Sequence, residues 1–190
     1  MIFHCRNAGP DVPFHKQRLF LVSELCLLSL FKICPNCKSE SEAVVSSRLG
    51  TRITVSQKCL SCTYQNEWDS QPKIGDIPVG NIMMSSAILF GGGSPAQSLR
   101  IMKSMNVPCI CYSTFMKHQK TMLHPAVDQV YHQHQSDLLN TAKSEGTGLI
   151  LGGDARCDSP GHSAKYSSYT LLDIQRNKII HTELVQVWYF

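Results

Sequence analysis

Apolar positions along the chain change their period three times. Residues 17–31, QRLFLVSELCLLSLF, are rich in Leu, contain no Gly or Pro and predict a helix. Residues 42–47 and 51–57 have β character and flank Arg48-Leu49-Gly50, so a hairpin with a tight turn is expected between them. Residues 70–80 are punctuated by Pro and Gly and read as a connector. Residues 81–142 then read as helical. The first helix covers 81–90 and stops at three glycines. The second opens with Ser94 as N-cap and Pro95 at the first turn, keeps Leu99, Met102 and Met105 on one face, and closes at Asn106. After a link at 107–111, a longer helix is capped at Ser113 or Thr114 and bends before Pro125. Beyond Gly146 the period is that of strands, over 149–154, 166–174 and 178–187. The pattern predicts an α+β chain in four parts. These are a loose arm (1–16), a helix with a cysteine-bearing hairpin (17–70), a helical region (71–146) and a set of three strands (147–190).

Composition narrows this picture. With 190 residues, 43% apolar and 17% charged, the chain can build a sizeable core and is not a disordered polyelectrolyte. A net charge of +4 permits a phosphate-binding surface without demanding one. The apolar run at 19–31 includes Glu24 and is too short for the roughly 30 Å of a bilayer core, so a buried or amphipathic helix is expected and no membrane partner. Residues 1–13 hold Gly9, Pro10, Asp11 and Pro13, which do not make a signal peptide. Nine cysteines in such a chain imply free thiols in a reducing compartment, the cytosol or nucleus.

Four of those cysteines are paired. Cys34-Pro-Asn-Cys37 and Cys59-Leu-Ser-Cys62 are two C-x-x-C turns separated by residues 38–58, close to zinc-ribbon spacing. Zinc takes four thiolates at the corners of a tetrahedron; each turn offers two, and the hairpin returns the second turn beside the first. Lys32, Lys38 and Lys58 would offset the negative charge. A redox motif does not predict a second matched pair, and two disulfides conflict with a reducing compartment. The spacing therefore points to structural Zn2+, while leaving function open: such ribbons bind nucleic acid, bind protein or hold a fold. Cys5, Cys26, Cys109, Cys111 and Cys157 are expected to be buried or partly buried thiols.

The helical middle has the outline of a helix-turn-helix, with Arg100, Lys103, Lys117, His118 and Lys120 available for phosphate. A bundle with a solvated charged face is the alternative, and the link at 107–111 is longer than a helix-turn-helix turn. His132 and His134 do not share a helix face and make a poor metal pair; His118 and His124 read as surface residues.

The segment Gly152-Gly-Asp-Ala-Arg-Cys-Asp-Ser-Pro-Gly-His-Ser-Ala-Lys-Tyr166 resembles the motif that opens the catalytic domain of Kolobok-type cut-and-paste transposases and their domesticated relatives. Trp68-Asp-Ser-Gln-Pro-Lys-Ile-Gly-Asp-Ile-Pro-Val-Gly-Asn81, the run Ser113-Thr-Phe-Met-Lys-His-Gln-Lys120 and the helix leading into Cys34 are similar to the same family. The resemblance spans residues 17–187. It implies a ribonuclease H-like fold for the last part, three acidic residues holding two Mg2+ ions, and Asp154 as the first of the three. Independently, an apolar strand ending in an aspartate is where an open sheet presents a metal ligand. Two such ions would activate water and stabilise the leaving 3′ oxygen of a phosphodiester.

Asp158 is expected to hold its loop, and His162 and Lys165 either to join that loop or to meet phosphate. Asp173 and Glu183 are not assigned the second and third acidic roles, which the family places on later elements. Asp154 is therefore expected to bind a divalent metal only in a complete domain, and no strand cleavage is expected from these residues alone. The unfinished sheet would leave an edge for a protein partner or for self-association. The expectation is a nuclear, zinc-bearing, DNA-binding protein derived from a transposase. The competing reading is a zinc-ribbon adaptor with no role on DNA.

Overall fold

Leu49 and Arg52 face each other across a two-residue turn, and Gly50 supplies the positive φ of 62° that the turn requires. In the computed structural model, which describes residues 12–13, 16–146, 148–160 and 163–186, this turn joins β1 (Ser41–Leu49) to β2 (Arg52–Cys59). A third strand, β3 (Gln65–Asp69), completes an antiparallel sheet of order β1-β2-β3. The chain is α+β and divides into two compact units, Met1–Leu123 and His124–Phe190.

Hydrophobic pattern does not signal β3, because its residues are mostly polar. Pairing with β2 holds it, from Thr54 opposite Asp69 to Lys58 opposite Gln65. As the central strand, β2 buries polar as well as apolar side chains, and each finds a partner, with only the Arg52 Nε left without one. Arg52 pairs with Asp69, and the Thr54 hydroxyl donates to the same carboxylate at 2.8 Å. The Arg52 guanidinium, aided by Thr54 against the cost of burial, holds the Asp69 carboxyl below its usual range.

The helix expected over 17–31 is much shorter. Only α1 (Glu24–Ser29) forms, with Ser23 as its N-cap accepting from the Cys26 N–H at 3.4 Å. Residues 18–22 are not helical, and Leu19, Phe20, Leu21 and Val22 are exposed. The expected burial fails there: a short helix needs an apolar face packed on something, and Ser23 offers the chain a better place to start one. Of the expected arm at 1–16, residues 1–11 and 14–15 lie outside the described part.

The connector holds a miniature hairpin, β4 (Lys73–Ile74) with β5 (Ile77–Pro78), and then leads into α2 (Val79–Phe90). After α2 come α3 (Pro95–Ser104) and α4 (Tyr112–His118). The α3 helix starts as expected, with Ser94 at the N-cap and Pro95 in its first turn. It ends in a paired reverse bond: Asn106 N–H to Lys103 C=O and Val107 N–H to Met102 C=O, both 3.0 Å, with Asn106 at φ 55°. Cys111, not Ser113 or Thr114, stands at the N-cap of α4. Ahead of Pro125, which lacks a backbone N–H, the chain forms a π-helical turn, Gln119–Leu123. Ile88, Leu99, Ile110 and Phe115 form the helical core, with Met84 and Cys109 against it.

His118 is buried, not a surface residue, and its Nδ1 lies 2.9 Å from the Ser85 hydroxyl. Ser85 Oγ already donates to the Asn81 carbonyl, which leaves His118 Nδ1 to carry the proton between them. Burial, and next the charge of Lys117, pushes the His118 pKa below the ordinary imidazole value. The sign follows: the unfolded chain takes up this proton first, so stability is full above about pH 6.5 and falls as pH drops through that value. Chemical denaturation at pH 7 and pH 5 is expected to show a loss for the wild type and a smaller loss for His118→Gln. Equal losses would show that His118 does not carry this dependence.

In the second unit, α5 (His124–Glu145) is followed by an antiparallel sheet of β6 (Leu151–Cys157), β7 (Tyr166–Asp173) and β8 (Lys178–Gln186), in that order. The strand expected to end at Asp154 instead continues to Cys157, so Asp154 sits in mid-strand opposite Thr170. Polar bonds fasten α5 to β8. The Tyr131 hydroxyl accepts from Thr182 N–H at 3.0 Å, and the Gln135 amide donates to Ile180 C=O at 3.0 Å. Buried Asp173 caps the β7–β8 turn by accepting from the N–H groups of Gln175 and Arg176. The Arg176 guanidinium holds its carboxyl below the usual range and also pairs with Glu145 of α5.

Candidate metal centre

Two turns of the same design face each other at the root of the β1–β2 hairpin. In the first, Cys34 N–H donates to Ser39 C=O at 2.8 Å; in the second, Cys59 N–H donates to Tyr64 C=O at 3.0 Å. Each bond spans five residues and folds a C-x-x-C segment into a loop with both thiols on one side. Lys38 takes a positive φ of 62° where the first loop closes, and its N–H donates to the Cys34 carbonyl at 3.0 Å.

Sheet residues fix the first turn in place. The Gln57 side chain donates to Phe31 C=O at 2.7 Å, to Ile33 C=O at 3.2 Å and to the Ser41 hydroxyl at 2.9 Å. Ser41 in turn donates to Phe31 C=O at 2.5 Å. The second turn needs no such anchor, because Cys59 is the last residue of β2.

The four sulfurs converge. Cys34, Cys37, Cys59 and Cys62 place their Sγ atoms within 4.8 Å of one another. Cys34 Sγ is 3.8 Å from Cys62 Sγ, and Cys37 Sγ is 3.4 Å from Cys59 Sγ. Sulfurs at the corners of a tetrahedron around zinc, each about 2.3 Å from the ion, stand about 3.8 Å apart. A disulfide would need about 2.05 Å. All four thiols are free, so the spacing fits a shared metal ion such as zinc and not two covalent bridges. Cys34 and Cys59 are buried, whereas Cys37 is exposed and Cys62 partly so, which puts the site at the surface with its back to the sheet.

The electrostatics are those of four thiols crowded together. Cys37 is lowered to about 6, first by a backbone hydrogen bond at Ser39, then by the Ser39 hydroxyl and Cys59. The backbone at Tyr64 pulls Cys62 down, but burial and contacts with Cys59, Cys37 and Cys34 outweigh it and raise the thiol to about 11. One proton leaves easily and another resists until a cation shares the negative charge. Backbone N–H groups point at the sulfurs as well: Ser61 and Cys62 donate to Cys59 Sγ at 3.3 and 3.4 Å. Gln57, Ser41 and Ser39 are the supporting residues that pattern alone misses. Their signal is slight, being polar residues on or beside strands that lead into a C-x-x-C.

The remaining thiols join no such group. Cys26, Cys111 and Cys157 are exposed, against the expectation of burial, and Cys109 is partly buried; Cys5 lies outside the described residues. Cys111 is lowered to about 7 by the Ser113 and Thr114 hydroxyls. Asp154 is exposed, and one of its oxygens accepts from Ala155 N–H at 2.9 Å. Among the described residues only the four cysteines form a group of metal-binding size. Asp158 accepts from Lys165 N–H at 3.1 Å and from the Ser159 hydroxyl at 3.3 Å, which holds its loop closed. His162 lies outside the described residues. Compared with models of protein families, with curated proteins and with solved structures, the chain matches none.

Proposed function

We propose that the protein is a zinc-bearing, DNA-binding protein of transposase descent, working in the nucleus. The observation that carries the zinc reading is the set of four sulfurs at near-tetrahedral spacing, held by two matching turns. Thiolates alone, no open position and a site backed by a sheet suit a structural ion and not a catalytic one. Support for DNA comes from the faces of α3 and α4. Leu99 and Phe115 turn inward to the core, while Arg100, Lys103 and Lys117 are exposed, as is Lys120 in the π-helical turn. Cations displayed on a rigid helical scaffold neutralise phosphates and release counterions. His118, buried against Ser85, does not belong to that set. No helix among the described residues is long and apolar enough to cross a membrane. An edge of the β6-β7-β8 sheet offers a place for a protein partner or for self-association.

Fluorescence anisotropy with a labelled duplex over a salt series tests the reading. If these four cations meet phosphates, log Kobs falls against log salt with a slope of about −3.6, and replacing Lys117 and Lys120 by Ala flattens it by about 1.8. Absent or salt-insensitive binding overturns the DNA role and leaves a protein-binding adaptor.

A further inference from the structure

Residues 18–22 pass along one side of a groove of about 1140 Å³ in the first unit without filling it. Met83, Met84 and Ala87 of α2, Met102 of α3, the adjacent Met105, and Trp68 of β3 line the groove. Such a lining is apolar and, through its methionines, able to repack around whatever enters. The segment beside it is itself apolar. Leu19 is 65% exposed, Phe20 77%, Leu21 71% and Val22 58%. Among the described residues no hydrogen bond holds the backbone of 18–22 to the rest of the unit. Its downstream end, in contrast, is tied down. Ser23 caps α1, and Glu24 pairs with Arg48 of β1 at 3.1 Å.

We propose that residues 18–22 form a strap that swings about Ser23 and closes into this groove. The occupant is thus the chain's own segment, and its four successive apolar side chains match the chemistry of the lining. The structure holds the open arrangement, in which groove and strap both face water at a cost in apolar exposure. An extended strap points alternate side chains to opposite sides. Closure therefore seats one pair, Leu19 with Leu21 or Phe20 with Val22, and leaves the other pair outside. The strap in this way controls access to an apolar surface that faces both the cysteine-bearing sheet and α3.

Trp68 reports on the groove from inside. The full chain has two tryptophans, and Trp188→Phe leaves Trp68 as the sole emitter. In that background, acrylamide quenching is compared for the parent, for Leu19→Asn with Leu21→Asn, and for Phe20→Asn with Val22→Asn. All four positions are exposed, so neither pair threatens folding, and circular dichroism checks this. A closing strap predicts that quenching rises roughly twofold for one pair and stays at the parent level for the other. No change in either pair overturns the proposal, because the groove is then never covered by this segment. An equal rise in both overturns it as well, since that marks a general loosening. If a second copy covers the groove instead, quenching of the parent falls with protein concentration, which also overturns the strap as occupant.

Discussion

Purified under reducing conditions, the protein is expected to carry about one zinc ion per chain, and removing that ion is expected to undo the β1–β2–β3 unit at its root. Residues 31–41 are held to the sheet by the Gln57 and Ser41 side chains and by whatever joins the four sulfurs. Hydrogen bonds of that kind contribute about 1 kcal/mol each, while structural zinc sites carry apparent binding free energies on the order of 10 kcal/mol. A bound ion would therefore outweigh the hydrogen bonds between the two turns, among them Leu60 N–H to Glu40 C=O at 3.3 Å. Without it, four thiols remain crowded within 4.8 Å with no shared charge to hold them.

Cys34→Ser and Cys59→Ser each leave three sulfurs and a poor fourth ligand at a buried position. Both variants are expected to lose most of their zinc and the near-ultraviolet signal of Trp68, whose ring stands 5.5 Å from that of Phe31. Cys26→Ser serves as the control, since Cys26 lies outside the group. Elemental analysis and circular dichroism read both quantities. Substoichiometric zinc in freshly reduced protein, together with an unaltered fold in Cys34→Ser, would sink the metal reading.

The second large effect is expected at the other end of the hairpin, where Gly50→Ala should destabilise the first unit by about 3 kcal/mol. A methyl group at Gly50 would fall within 3.0 Å of the Asn81 amide, and the φ of 62° already disfavours a side chain. Asn81 is buried and has three bonds to lose. Its Oδ1 accepts from Thr51 N–H at 2.7 Å and from the Thr51 hydroxyl at 2.9 Å, while its Nδ2 donates to Leu49 C=O at 3.3 Å. Pushing the amide aside leaves those groups unpaired. Asn81→Ala alone should cost about 2 kcal/mol, by removing the bonds but also the obstacle. In that background Gly50→Ala should cost only the backbone strain, about 1 kcal/mol, so the two changes are less than additive. Urea denaturation of the two single variants and the double variant measures this. Strict additivity would mean that the glycine is needed for its φ alone.

Paired C-x-x-C spacing makes the four-cysteine group legible in the sequence, because a tetrahedral ion needs two turns and a hairpin to join them. Gly50 announced that hairpin, and Ser94-Pro95 with Asn106 announced the bounds of α3. What the sequence left unread follows from tertiary context. β3 is polar because it is an edge strand, and pairing with β2, not burial, makes it a strand. The leucines at 19 and 21 read as helix, yet propensity acts only where something packs against the helix, and Ser23 diverts the chain first. Arg52 is buried beside its partner Asp69, and Gln57 is buried because the Phe31 and Ile33 carbonyls and Ser41 satisfy its amide; no linear pattern encodes partners so far apart. His118 resembled a surface residue for the same reason; its partner, Ser85, lies on α2.

Most hairpins are anchored at the base and free at the tip, which is why their tips accept inserted residues and drift in length. The β1–β2 ribbon is a beam pinned at both ends: four sulfurs grip its base, and the Asn81 amide grips its tip. Its span is therefore a ruler. A pair of residues added to or taken from the two strands would preserve the pleat and still pull either the turn away from α2 or the cysteines away from one another. The length between Cys37 and Cys59 is thus set from outside the ribbon, by where α2 begins.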